Sequence, residues 1–238
     1  MKQLLFLALT WALSFSFSAC NNDKEGDSKK NADSPLVKAS EAPAAFIPYK
    51  ALMVQHTVKD YAKWKAAYLA HDSMRTAYGI THFRLARGME ADSNSILVFD
   101  KMNDEVKAKA FAKAPGLKDA MKAAGVSGIP VFNYLNVVRS DTSAITQTER
   151  VMIMHKVKDY DTWLKVFDKE GKDARVANGM VDRILARSID DPNMVCLIFA
   201  ITDMGKAKAR ASSDELKKLM QEAGVEGAPK VTWMKVDQ

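Results

Sequence analysis

The segment His56-Thr-Val-Lys-Asp-Tyr-Ala-Lys-Trp64 returns as His155-Lys-Val-Lys-Asp-Tyr-Asp-Thr-Trp163, with six of nine positions identical. Leu85-Ala86-Arg87 likewise returns as Leu185-Ala186-Arg187, and Ala124-Gly125-Val126-Ser127-Gly128-Ile129-Pro130 as Ala223-Gly224-Val225-Glu226-Gly227-Ala228-Pro229. Order and spacing hold to within one residue. The chain therefore carries two copies of one unit, each of roughly 90 residues, the size of a small domain. Residues 48–138 form the first copy and 150–238 the second, joined by the polar stretch 139–149.

Each copy reads β-α-β-β-α-β. Leu52–Val58 and Val151–Val157 are apolar, branched runs suited to strands. Asp60 and Asp159 follow them at helix N-cap positions, where a carboxylate accepts the orphan backbone N–H groups of the first turn. Trp64, Tyr68, His71, Arg75 and Tyr78 then recur at helical spacing, as do Trp163, Phe167 and Ala174. Gly79 and Gly179 end these helices, and the pairs Ile80–Arg87 with Ile96–Phe99 and Met180–Arg187 with Val195–Phe199 read as strands. A second helix spans Asp104–Ala124 with an interruption at Pro115. Gly125 and Gly224 cap the second helices, and Pro130 and Pro229 are expected to lead into the last strands.

Ahead of the repeats, Met-Lys-Gln is followed by an apolar run from Leu4 to Phe17 and by the small residues Ser18 and Ala19. This is the layout of an export signal, with a run too short to span a bilayer comfortably. Phe17-Ser18-Ala19-Cys20 resembles the lipobox of bacterial lipoproteins. The resemblance implies cleavage after residue 19, lipidation of Cys20 and a membrane anchor. Asn21, in place of an aspartate, implies an outer-membrane address facing the periplasm. Residues 20–47 are polar and lack an apolar period, so they read as a disordered tether. As a flexible coil of about 25 residues it would span roughly 25–30 Å.

The His-x-Val-x-Asp-Tyr-x-x-Trp opening and the Ala-Gly-Val-x-Gly-x-Pro exit resemble the ferredoxin-like dimeric α+β barrel superfamily, which includes the antibiotic-biosynthesis-monooxygenase-like domains. The resemblance covers both copies. It implies an α+β fold in which two tandem ferredoxin-like βαββαβ repeats make an intramolecular pseudo-dimeric α+β barrel, with the chain a monomer. Superfamily members range from cofactor-free oxygenases through haem-handling enzymes to proteins without known activity. The fold thus does not select a reaction.

Strand alternation puts His56 on one face with Leu52, Val54 and Val58, and His155 with Val151, Ile153 and Val157. A titratable imidazole on an apolar face serves as a general base or as a hydrogen-bonded core residue. His71 is expected on the helix facing His56, and Glu170 at the matching place facing His155, giving a His–His couple and a His–carboxylate couple for acid/base work. Arg75 and Arg175, near the ends of the first helices, are candidate clamps for an anionic ligand group, and Arg87 and Arg187 recur at strand ends. Trp64 and Trp163, with Phe83, Tyr134 and Trp233, are candidates for an apolar binding pocket or for core packing. Cys196, matched to Ile96, reads as a buried hydrophobe.

The remaining signals exclude classes. Two cysteines among 238 residues give no thiolate zinc cluster, and His56, His71 and His82 lack a chelating spacing, so no metal is assigned. There is no Gly-rich phosphate loop, Cys-x-x-Cys-His or Gly-x-Ser-x-Gly, and no cofactor is called for. The net charge of +6 comes from scattered lysines rather than a stripe, so nucleic acid is not an expected partner. The sequence points to an envelope lipoprotein that binds a small, mostly apolar molecule, with a cofactor-independent monooxygenase or cyclase-like enzyme as the alternative.

Overall fold

The computed structural model describes residues 46–89 and 92–237; the export segment, Cys20 and nearly all of the tether lie outside them. The first copy contributes β1 (Tyr49–Val58), α1 (Tyr61–Ala70), α2 (Asp72–Ala77), β2 (Ile80–Gly88), β3 (Ser95–Met102), α3 (Glu105–Lys113), α4 (Pro115–Ala123) and β4 (Val126–Ser140). The second contributes β5 (Glu149–Val157), α5 (Tyr160–Ala177), β6 (Met180–Ser188), β7 (Met194–Ile201), α6 (Met204–Ala211), α7 (Asp214–Glu222) and β8 (Val225–Val236). The eight strands close in the order β1-β3-β2-β8-β5-β7-β6-β4, with antiparallel pairing throughout. Each copy supplies a ferredoxin-like sheet of four strands, and the pairs β2·β8 and β4·β6 join the two sheets into one barrel.

Closure gives β1, β3, β5 and β7 two largely buried faces, and side-chain alternation divides their apolar residues between the barrel interior and the helices, while β2, β4 and β8 keep exposed residues such as Arg84, Val131 and Lys230. Ala51, Met53, Leu135, Val137, Met152, Ala186, Cys196 and Met234 point into the barrel, in one cluster drawn from both copies. The opposite faces of the strands are covered by helices. Leu52, Val54, Val58, Ile96 and Val98 pack under Trp64, Phe111 and Leu117, and Val151, Val157, Val195 and Leu197 under Trp163 and Ala207. The helices start where the sequence places them. Asp60, Asp104, Asp159 and Asp203 each accept a hydrogen bond from the backbone N–H three residues on, at 2.8–3.0 Å.

Three expectations are corrected. The last strands begin at Val126 and Val225, ahead of Pro130 and Pro229. Val126 and Ser127 already pair with Val58 and Thr57, and the chain then bulges, so that Val131 is the next residue to pair, with Gln55. Gly128 (φ 73°) turns the bulge, and Pro130 sits where no ladder N–H is required. Glu226 and Lys230 flank an equivalent bulge at Gly227 (φ 68°). Second, the first helix of copy one breaks at His71, and α5 is broken at Gly171 (φ 81°), the extra residue behind the one-residue difference in spacing. Third, Cys196 corresponds in register to Leu97, not Ile96: Ala86 pairs Leu97 and Ala186 pairs Cys196. Its side chain is fully buried inside the barrel, and burial pushes its thiol pKa up to about 12.

Because the barrel interior belongs to both copies, the two are expected to unfold together. Replacing Leu135, which is fully buried in the barrel, by alanine should cost about 2–5 kcal/mol. Urea denaturation followed by tryptophan fluorescence and by far-UV circular dichroism should show one coincident transition that shifts as a whole in Leu135→Ala.

Candidate functional site

The repeated histidines pair with Ile96 on β3 and Val195 on β7, but the bulges leave them without a partner on β4 and β8. Pairing of β1 with β4 skips from Gln55 to Thr57, and pairing of β5 with β8 from Met154 to Lys156. The exit motif of each copy thus shapes the surroundings of the histidine in its opening motif. Both imidazoles are only 7% exposed and face the helix layer, and neither ring nitrogen of either one has a hydrogen-bond partner. His56 packs at 5.2 Å from the ring of Trp64, and His155 at 5.5 Å from Trp163. Burial lowers both pKa values from 6.5 to about 4, so at neutral pH both rings are uncharged.

Each histidine faces a cleft between helices and sheet. In copy one the cavity measures about 70 Å³ and is lined by Leu52, Val54, Trp64, Met74, Phe111 and Leu117 among its apolar residues. Tyr68, His71, Arg75 and Asp100 are its other polar members. In copy two it measures about 100 Å³, between Trp163, Phe167 and Leu197 on one side and Leu216 and Met220 on the other, with Glu170, Arg175 and Arg210 as its polar members. The tryptophans lie in rows of stacked rings, Tyr61–Trp64–Tyr68 and Tyr160–Trp163–Phe167, with successive centroids 5.1–5.9 Å apart.

The two expected acid/base couples do not form. His71 lines the same cleft as His56, but it is exposed at the helix break and its Nδ1 lies 2.7 Å from the Ala67 carbonyl. Glu170 accepts hydrogen bonds from Arg175 at 3.3 Å and from Arg210 at 2.9 Å and makes none with His155. A carboxylate between two guanidiniums gains more from them than from a neutral imidazole. Phe83 and Trp233 lie outside both clefts, as does Tyr134, which packs in the copy-one core. Arg87 and Arg187 stack on Tyr61 and Tyr160 and donate to the Ser93 and Pro192 carbonyls, which gives them a structural role.

The two buried arginines differ, and residue 82 against residue 182 explains it. Arg175 makes four hydrogen bonds: two to Asp182, one to the Phe167 carbonyl and one to Glu170. Histidine stands in copy one where Asp182 stands in copy two, and Arg75 is left with two, to the Tyr68 carbonyl at 2.6 Å and to Asp72 at 3.0 Å. The buried Nε–H of Arg75 is unpaired. Copy one instead places its buried carboxylate on β3. Asp100 accepts from the Tyr68 hydroxyl at 3.0 Å and lies 3.1 Å from Nδ1 of His82, where copy two has Phe199 under Phe167. Burial and the Asp100 carboxylate push the Tyr68 hydroxyl pKa far above its ordinary value. Sequence reasoning missed this array, although an aspartate continuing the apolar run Ile96–Phe99 and the exchange of Phe167 for Tyr68 both signal it.

No family model matches this sequence, and no curated protein matches it. Solved structures do match in shape. An anthrone oxidase-like protein shares 13% identity over 80% of this chain and 92% of its own, with a TM-score of 0.54. Candidate monooxygenases from Lactobacillus acidophilus and Fusobacterium nucleatum share 15% and 16% identity, with TM-scores of 0.52 and 0.51. They cover 80% and 81% of this chain and 95% and 93% of their own, more than one copy supplies. The fold shared with these structures is a tandem α+β barrel. At these identities the likeness establishes the barrel and the arrangement of its copies.

The buried histidines make stability depend on pH. Their folded pKa values lie below the unfolded value near 6.5, so the unfolded chain binds more protons between about pH 4 and 6.5. The stability is present in full above pH 6.5 and falls as pH drops through that window. Between pH 7.5 and 5.5 each histidine should cost about 1 kcal/mol. Urea titrations of the double variant His56→Phe/His155→Phe should show that part of the pH dependence removed.

Proposed function

We propose that the copy-one cleft is the active site of a cofactor-independent oxygenase acting on a small, mostly apolar molecule with an acidic C–H or phenolic O–H group. The observation that carries this reading is the buried His56 imidazole, which is neutral, faces an apolar cleft and has no partner in the folded chain. A buried polar group normally has a partner within the protein or from water, so an orphan aimed into a cleft calls for a ligand that supplies it. His56 accepts the substrate proton as general base. The Arg75 Nε–H, also buried and unpaired, faces the oxygen that gathers negative charge as that proton leaves. Trp64 and Tyr68 offer flat walls for an aromatic skeleton. The deprotonated substrate is the electron donor and dioxygen the oxidant. For a methylene oxidised to a carbonyl, one oxygen atom enters the product and the other leaves as water.

The likeness in shape to two candidate monooxygenases and an anthrone oxidase-like protein supports oxygenation over binding alone. The copy-two cleft holds a like apolar space, but Arg175 is held by Asp182 and Glu170, and this cleft serves binding or packing. The envelope address belongs to the same proposal. It rests on the apolar run from Leu4 to Phe17 and on Phe17-Ser18-Ala19-Cys20, with the chain anchored through lipid on Cys20 at the outer membrane and facing the periplasm.

Oxygen uptake by the purified full chain with dithranol, an anthrone, and no added cofactor tests the chemistry. His56→Phe should lower kcat by about 10²-fold or more, the range of a general base, while His155→Phe should leave it within a factor of about three. Equal loss in both variants, or uptake unchanged by His56→Phe, contradicts the assignment. In cells, Cys20→Ser should move the protein from the membrane to the soluble fraction, whereas continued membrane retention contradicts the lipid anchor.

A further inference from the structure

One mouth of the barrel, where β4 ends at Ser140 and β5 begins at Glu149, opens into a cavity of about 170 Å³ separate from both clefts. Its floor is part of the barrel interior: Ala86, Leu97, Phe99, Ile198 and Met234 are each at most 8% exposed. Its rim carries three arginines, Arg84, Arg150 and Arg183, against one carboxylate, Asp141. Arg183 lies 3.6 Å from Asp141 and donates to the carbonyl and the hydroxyl of Ser143. Arg150 is tied at 2.8 Å to the carbonyls of Gln147 and Glu149, which are uncharged partners. Arg84 lies over the Phe83 ring at 5.3 Å. Among the described residues, neither Arg84 nor Arg150 has a carboxylate partner. Burial and the charges of Arg183 and Arg84 lower the Arg150 pKa, so the three cations act on one another.

Like charges gathered at the edge of an apolar opening destabilise one another, and the local dielectric strengthens the repulsion. An anion resting among them turns that repulsion into attraction, and guanidiniums suit a carboxylate through paired N–H donors. The floor beneath is apolar and accepts a hydrocarbon tail. We infer that this mouth binds an amphiphilic carboxylate, with the head among Arg84, Arg150 and Arg183 and the tail directed into the barrel. The site is independent of the cleft chemistry. The three arginines have no repeat equivalents among one another, since Phe83 and Arg84 stand where copy two has Arg183 and Ile184. The mouth is therefore a property of the closed barrel rather than of either copy.

Isothermal titration of the full chain with octanoate, 1-octanol and inorganic phosphate tests the inference. Octanoate should fill one site per chain and bind at least about tenfold more tightly than octanol or phosphate, and added salt should weaken it. Arg84→Gln should weaken octanoate by about tenfold. Arg84 is exposed and donates no hydrogen bond among the described residues, so this variant should keep the wild-type unfolding transition. His56→Phe should leave octanoate binding unchanged. No binding of octanoate overturns the inference, as does equal binding of octanol or phosphate. So does octanoate binding that is insensitive to Arg84→Gln or is lost in His56→Phe.

Discussion

Closure of eight strands into one ring is the constraint on which the rest of this structure depends. Once β2 meets β8 and β4 meets β6, the two four-stranded sheets share one interior. The strands β1, β3, β5 and β7, each flanked on both sides, supply apolar side chains on both faces, one set to the barrel interior and the other to the helices. That requirement explains Ala51 and Met53 alternating with Leu52 and Val54 in one apolar run. It also explains why His56 and His155 stand out. They share the helix-facing side of their strands with Val54 and Val58 and with Ile153 and Val157, and the bulges at Gly128 and Gly227 leave each histidine without a partner on β4 or on β8.

The duplication keeps this frame and lets the polar chemistry diverge. Tyr68, Asp100 and His82 in copy one correspond to Phe167, Phe199 and Asp182 in copy two. These exchanges are coupled. A carboxylate on β6 holds the guanidinium of Arg175, while its move to β3 in copy one gives it to Tyr68 and His82 and leaves Arg75 with an unpaired donor. Both arginines remain 4% exposed, and each stacks on the aromatic ring seven or eight residues before it. Their packing is common to the copies, and their availability to a ligand is not.

Much of the frame was legible because it rests on local signals. Asp60 and Asp159 cap their helices by contacts three residues long, and the two-residue period of the first strands assigns His56 and His155 to the helix side. What depends on closure was not legible. Pro130 and Pro229 read as strand entries because the bulge exists only when β4 lies against β1 and β8 against β5. Glu170 read as a partner for His155 because Arg210, forty residues on, becomes its neighbour only in the folded sheet-and-helix layer. Arg84, Arg150 and Arg183 share no motif and meet at a mouth that neither copy forms alone.

The central claim is that His56 and His155 are neutral, buried and without a partner inside the folded chain. Nitrogen-15 NMR of the imidazole rings of the full chain, followed from pH 3.5 to 8, tests it most directly. The account predicts midpoints for both rings near pH 4. It also predicts nitrogen shifts of a neutral ring without a hydrogen bond at neutral pH. Midpoints at 6.5 or above, or shifts showing a ring nitrogen already bonded within the ligand-free protein, would contradict it.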